Sequence, residues 1–192
     1  MSIGKNYKEA FQKAIRSLEI GRYGLGFAKD FHEKSKEELL HMLHTATSER
    51  QFIMYEAIRK GATNAELFEL TKIKDYFLNQ MRELVEEEEK LLTYKGQVPP
   101  AEILTQAKKD GFADRYLSQL LGVPEADIRS ARTAIGVTES WEGVHVSGTK
   151  DSAYYYSTYN APDKNPVSTD KQKTESARVS NLIIAVYTRQ LL

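Results

Sequence analysis

The sequence predicts an all-α fold, an irregular bundle of seven or eight short helices followed by an extended C-terminal segment. Two observations carry that prediction. Short apolar-periodic stretches recur along the first two thirds of the chain, each opened by a capping residue and closed by glycine. Beyond Gly136 the periodicity fades and β-branched and aromatic residues take over.

Asn6 with Glu9 three positions later has the form of a capping box, Ala10, Phe11, Ala14, Ile15 and Leu18 make one apolar face, and Gly21 stops the helix. Ser35 with Glu38 opens a segment carrying Leu39, Leu40, Met42 and Leu43. Ser48 with Gln51 opens one carrying Phe52, Ile53, Ala57 and Ile58, which ends at Gly61. Thr63 with Glu66 starts a short helix through Leu67 and Leu70. The longest stripe follows, with Ile73, Phe77, Met81, Leu84, Val85, Leu91 and Leu92. Pro99 and Pro100 break that helix and start the next, through Ile103, Leu104 and Ala107 to Gly111. Two more helices carry Tyr116, Leu117, Leu120 and Leu121 up to Gly122, then Ile128, Ala131 and Ile135 up to Gly136.

Val144-His145-Val146 and the run Ala153 to Tyr159 read as extended, and Asn160 to Glu175, with Pro162 and Pro166, reads as a linker. Leu182-Ile183-Ile184-Ala185-Val186-Tyr187 is compatible with strand or helix. No internal repeat is present.

Composition narrows the function. The 192 residues fit one large domain or a domain with a tail, and 41% hydrophobic with 28% charged residues is an ordinary globular balance. Lys plus Arg and Asp plus Glu both total 27, so no global field draws the chain to nucleic acid or an anionic membrane. With no cysteine, disulfides and thiolate chemistry are excluded. Neither a signal-peptide core nor a bilayer-length apolar run occurs, which predicts a cytoplasmic protein with no membrane partner.

Few constellations could carry chemistry. Glu37, His41 and His44 share one helix face and could ligate zinc or iron, but no fourth ligand is identifiable and the same spacing describes a solvent face. The acidic run Glu86 to Glu89 cannot converge on one ion, because consecutive helical residues are spread about 100° apart, and it reads as a solvated face. The glycines of Gly21 to Gly26 follow a helix rather than a strand, so they are a helix stop and turn. Ser147-Gly148-Thr149-Lys150 lacks the glycine spacing of a phosphate loop. No Ser/His/Asp or Cys/His set exists, and the site expectation is therefore no catalytic, cofactor or metal residue. One rival remains, a helix-turn-helix nucleic-acid binder centred on Phe112 to Val137 with the turn at Leu121-Gly122-Val123. Arg129 and Arg132 lie on its second helix, yet Asp110, Asp114, Glu125 and Asp127 nearly neutralise the local field, which favours a plain helical hairpin.

Several strings, in order, resemble the helical middle domain of the carbamoyl-phosphate synthase large subunit. They are Lys13 to Gly21, Ala57 to Gly61, Leu70 to Leu78 with Glu83-Leu84-Val85, Gly111 to Asp114, Glu125 to Arg129, Tyr154 to Tyr159 and Asn165 to Asp170. The likeness runs from about Tyr7 to about Lys173. It implies the end of a preceding ATP-dependent half with a linker over 1–26, a helical oligomerisation domain over 27–140, an extended crossing segment over 141–173 and an atypical tail over 174–192. It also implies a non-catalytic scaffold, with ATP and a divalent metal belonging to the parent ligase and none to this segment. Its implied partners are the flanking halves, a second copy of the chain and the glutaminase small subunit. Phe52, Tyr55, Tyr76, Phe77 and Met81 are the candidate contact residues, with an intramolecular core place open equally for each. Two departures stand out: Val144 to Thr149 replaces the family's cysteine-containing stretch, and Thr174 to Leu192 contains no glycine where the family enters a nucleotide-binding turn.

Overall fold

A computed structural model describes residues 2–144 and 154–161, and the expectations for His145, Val146, Ala153, the linker beyond Ala161 and the tail lie outside the described residues. Eight helices follow in order: α1 (Tyr7–Ser17), α2 (Lys36–Met42), α3 (Arg50–Arg59), α4 (Asn64–Thr71), α5 (Asp75–Leu92), α6 (Ala101–Lys109), α7 (Asp114–Leu121) and α8 (Glu125–Ala134). A 3-10 turn at Phe31–Glu33 precedes α2, and strands β1 (Ser140–Gly143) and β2 (Tyr155–Thr158) close the described chain. The expected bundle and extended segment are both present.

Local chemistry sets most of the helix ends. At α2 and α4 the full capping box forms: the side chains of Ser35 and Thr63 accept from the N–H groups of Glu38 and Glu66, whose carboxylates return to the cap N–H groups at 2.7 Å in both cases. Gly122 ends α7 at φ 69°, a left-handed position where a side chain would be strained. Lys72 ends α4 in the same region at φ 57° without being glycine.

Two capping expectations fail, for different reasons. Asn6 does cap α1 by accepting the Glu9 N–H at 2.8 Å, but the Glu9 carboxylate turns to the Lys5 N–H and the C-terminal strand instead of back to Asn6. Ser48 caps nothing; α3 starts after Glu49, whose carboxylate is engaged by Arg22 at 2.8 Å.

The core is built around α3, in which every residue from Phe52 to Ile58 is buried. A helix buried on all sides along this run must be enclosed, and α2 and α5 pack against it. The α5 stripe is Leu78, Met81, Leu84, Val85, Glu88 and Leu91, so Leu78 takes the inward position expected of Phe77, which remains 43% exposed. On α1 the buried residues are Glu9, Gln12 and Ile15, whereas Leu18 of the expected apolar face is exposed. Glu9 and Gln12 make the stripe partly polar because they face the β-hairpin and the end of α6, while Ile15 joins the apolar core.

That hairpin is antiparallel, with Ser140 opposite Thr158 and Gly143 opposite Tyr155. The first strand therefore forms earlier than Val144-His145-Val146, and Val144 adds one further bond by donating its N–H to the Tyr154 carbonyl at 2.8 Å. Thr158 and Asn160 each donate to Glu9 at 3.1 Å, and Asn160 also donates to the Lys109 carbonyl at 2.7 Å. Asn160, expected in a linker, is instead a tie between the strand, α1 and α6. The chain division at 140/141 falls inside β1.

Candidate functional site

Buried charged and phenolic side chains form two lattices, and aromatic rings of α1 and α5 form one exposed cluster. In the first lattice Glu88 is fully buried on α5, against the expectation of a solvated acidic face. Its position was legible in part, because Glu88 continues the i+3/i+4 rhythm of Met81, Leu84, Val85 and Leu91. Its Oε2 accepts from Tyr55 at 2.9 Å and from Tyr116 at 2.8 Å, while Oε1 pairs with the Arg59 guanidinium. Arg59 Nε also donates to Glu56 at 3.0 Å, and the other Glu56 oxygen accepts the Phe27 N–H at 2.7 Å. That contact holds Phe27 at φ 55°, a left-handed conformation that costs a phenylalanine roughly 1–2 kcal/mol. Two carboxylates, one guanidinium and two phenols thus bind α3, α5, α7 and the 21–28 loop together.

Burial pushes Glu88 above the ordinary carboxylate range despite the pull of Arg59. Burial and the neighbouring carboxylate push Tyr55 and Tyr116 well above the usual phenol range. Burial disfavours the Arg59 cation, but Glu88 and Glu56 outweigh it and raise the group. Gly26 is where this lattice meets the backbone. It donates to the Tyr116 hydroxyl at 3.0 Å, and a Cβ there would meet that hydroxyl at 2.8 Å, Arg59 Nη2 at 2.9 Å and Glu88 Oε1.

The second lattice occupies the supposed DNA-reading region. Asp114 at the start of α7 accepts from Lys108 at 2.6 Å and from Arg132 at 2.8 Å, and Lys108 also donates to the Phe112 carbonyl at 2.8 Å. Burial lowers the Lys108 ammonium, and burial of Asp114 is outweighed by its two cations, which hold it below its usual range. Arg132 is 9% exposed and so cannot reach a groove, and Arg129 folds back onto Glu125. A protein that relies on phosphate contacts needs free cations, and here they neutralise internal carboxylates. The hairpin of α7 and α8 is a packing unit.

The histidine pair does stand on one face, with His41 and His44 ring centroids 5.9 Å apart, and both residues and Glu37 are exposed. Among the described residues no group of three His, Cys, Asp or Glu side chains could hold a metal ion. A cleft of about 450 Å³ between the 21–29 loop, α5 and α7 presents Arg22, Lys29 and Lys95 with no carboxylate among its lining residues. It offers positive charge but no acid–base pair.

The expected contact residues divide sharply. Phe52, Tyr55 and Met81 are 1–3% exposed core residues and have no surface to give a partner. Their side chains sit on the inward faces of α3 and α5, which the sequence pattern alone does not separate from an outward apolar face. Tyr76 and Phe77 are 60% and 43% exposed. They join Tyr7, which the sequence did not mark, and Phe11, read there only as part of the apolar face of α1, in a four-ring cluster: Tyr7 lies 5.3 Å from Phe11, 5.3 Å from Phe77 and 6.2 Å from Tyr76, centroid to centroid. Among the described residues no helix is long and apolar enough to cross a membrane.

Comparison with known proteins fits this architecture. Residues 1–136 match the family described as carbamoyl-phosphate synthetase large chain, oligomerisation domain. The chain is 38% identical over 166 residues to the carbamoyl phosphate synthase large chain of Archaeoglobus fulgidus, covering 83% of this chain and 15% of the relative. It is 35% identical over 176 residues to the Pseudomonas aeruginosa large chain, covering 89% and 16%. To the N-terminal section of the Aquifex aeolicus large chain it is 39% identical over 165 residues, covering 84% and 29%. The chain thus spans only a small part of the relatives it matches. With a family match over most of its length, and with its charged residues spent on internal cohesion, the chain belongs to the oligomerisation-domain family of the carbamoyl-phosphate synthetase large chain.

Proposed function

We propose that this chain acts as a non-catalytic helical scaffold within a carbamoyl-phosphate synthase large chain, holding larger catalytic bodies together and associating with further copies of itself. The carrying observation is where the polar groups go. The carboxylates that could serve as acids or bases, Glu56, Glu88 and Asp114, are bonded to arginine, lysine or tyrosine partners inside the fold. Glu56 and Glu88 are fully buried, and Asp114, which borders a cleft of about 300 Å³, has its two oxygens taken by Lys108 and Arg132, which suits a load-carrying element and leaves the chemistry to the rest of the parent enzyme.

In this reading ATP and a divalent metal belong to the parent ligase, which forms carbamoyl phosphate from bicarbonate, ammonia and ATP for arginine and pyrimidine synthesis in the cytoplasm. The glutaminase small subunit is a partner in the parent complex. Light scattering on the purified chain tests the association: masses above that of one chain, rising with concentration, are expected, and a strict monomer at high concentration overturns the self-association. ATP hydrolysis by the isolated chain overturns the non-catalytic assignment.

A further inference from the structure

We infer that the cleft between α1, the Gly111 turn, the start of α7 and β2 receives a carboxylate side chain from the polypeptide that adjoins this segment in the long chain, with Arg16 as the group that takes it. The inference rests on the scaffold reading and names one contact through which the scaffold grips its neighbour.

The cleft holds about 300 Å³, and its four lining carboxylates are already engaged. Glu9 accepts from Thr158 at 3.1 Å, Asp114 from Lys108 at 2.6 Å and Arg132 at 2.8 Å, Glu125 pairs with Arg129, and Glu139 accepts from Tyr159 at 3.0 Å. Two lining arginines pair with no carboxylate among the described residues. Arg115 is exposed, its guanidinium 4.1 Å from the centroid of the Tyr23 ring. Arg16 is half-buried, and its one hydrogen bond among the described residues runs from Nη1 to the Gly111 carbonyl at 2.6 Å. No nitrogen of Arg16 is both enclosed and unbonded, so the rest of its fork opens at the cleft and can meet the two oxygens of a carboxylate. Burial lowers the Arg16 guanidinium below its ordinary range, with Tyr159, Glu9 and Asp114 opposing only in part. Burial acts in the same direction on Arg59 and Arg132, but the carboxylates they bond outweigh it and raise both. Arg16 lacks that counter-charge.

Position points to the adjoining polypeptide as the source. Glu9, Lys13 and Arg16 recur at i, i+4 and i+7 and so share one face of α1. That face holds both described ends of the chain: Glu9 accepts the Lys5 N–H at 2.8 Å, and Lys13 donates to the Ile3 carbonyl at 3.0 Å and to the Ser157 carbonyl. Ser157 and Tyr159 themselves line the cleft. In relatives where the matched region is 15% or 16% of the whole, the remaining chain joins at one or both of these ends, next to Arg16. A tethered side chain meets Arg16 at an effective concentration of about a millimolar or more, so a single ion pair suffices to hold it. Phosphate fits less well, because the four lining carboxylates, though paired, repel a dianion more than a single charge.

The isolated chain tests the site itself. Sodium acetate is titrated at constant ionic strength while the arginine Nε–H signals are followed by NMR, with the Arg16 signal identified by its loss in Arg16→Lys. That signal is expected to shift with a midpoint on the order of 10–100 mM, while the signal of Arg82, already bonded to the Ala62 carbonyl and Asn64, stays in place. No shift at Arg16 overturns the inference. Inorganic phosphate held about tenfold more tightly than acetate assigns the cleft to a phosphate ligand and also overturns it. The source is tested by phenylglyoxal modification of Arg16, read by mass spectrometry, in the isolated chain and in the A. fulgidus large chain with its matched region exchanged for this one. Modification is expected to slow by about tenfold or more in the long chain, as for a group that reacts only on transient opening. Equal rates in both settings overturn the inference. Protection that instead grows with the concentration of the isolated chain assigns the carboxylate to a second copy, which also overturns it. The acetate titration stands whether or not the exchanged chain folds. A monomeric isolated chain would sink the self-association reading while leaving these results untouched.

Discussion

Replacing Glu88 with alanine tests the principal cohesive element of the fold. The side chain is fully buried and satisfies three groups at once: the Tyr55 hydroxyl at 2.9 Å, the Tyr116 hydroxyl at 2.8 Å and the Arg59 guanidinium. Truncation does not strand Arg59 completely, because Glu56 remains 3.0 Å from its Nε. Tyr55 also keeps an alternative acceptor in the Leu84 carbonyl at 3.0 Å. Tyr116 loses its acceptor and a cavity opens beside it. Removing one partner of a buried ion pair costs about 3–5 kcal/mol, and the surviving contacts place this case near the lower end. For a domain of this size a loss of about 3 kcal/mol lowers Tm by roughly 6–12 °C. Glu88→Gln keeps an acceptor for the phenols and loses only the charge opposite Arg59, so about half that loss is expected. Denaturant unfolding followed by circular dichroism measures both variants, and a cycle with Tyr116→Phe should return a coupling of about 1–2 kcal/mol. A Glu88→Ala protein within about 0.5 kcal/mol of the parent, the level of an ordinary surface change, would refute the claim that this carboxylate joins α3, α5 and α7.

Gly26→Ala should be strongly destabilising although only a methyl group is added, because its Cβ would approach Tyr116 and Arg59 to within 2.9 Å; its Tm should fall further than that of Gly61→Ala, which meets nothing within 4 Å and carries only the cost of a left-handed backbone at φ 86°. Asp114→Asn leaves the buried Lys108 without its counter-charge and should cost about 3 kcal/mol in urea unfolding. The native Asp114 is held below its usual value of 3.8, so its contribution is present above that pH and is lost as acid protonates it, a loss that Asp114→Asn should abolish from the pH profile of Tm. Glu66, bonded to Lys36 and to the Thr63 cap, is pulled down to about 2; carbon-detected NMR titration should find that midpoint, and Lys36→Met should move it back toward 4.5.

How much of this was readable from the sequence depended on the range of the interaction. Ser35 with Glu38 and Thr63 with Glu66 close rings within four residues, and they fixed the starts of α2 and α4 as expected. The same rule failed at Ser48, where α3 starts one residue later with Glu49 at the cap position and its carboxylate bonded to Arg22, 27 residues away in sequence. Whether an aromatic or Met side chain faces in or out was not legible: Phe52, Tyr55 and Met81 lie inward, Tyr76 and Phe77 stay out, and Tyr7 and Phe11 join the latter pair.

By itself, the order of residues determined the helix inventory, the glycine and proline stops, the extended C-terminal segment and the family likeness, since each depends on neighbours within a few positions or on whole strings. Only the tertiary structure decided which charges are structural. The i+3/i+4 rhythm places Glu88 on the inner face of α5, but whether a carboxylate can stay there depends on Tyr55, Arg59 and Tyr116, which are 28 to 33 residues distant in sequence. A buried charge is tolerated only when its compensating donors arrive from elsewhere in the fold, and that compensation is set by where the helices pack.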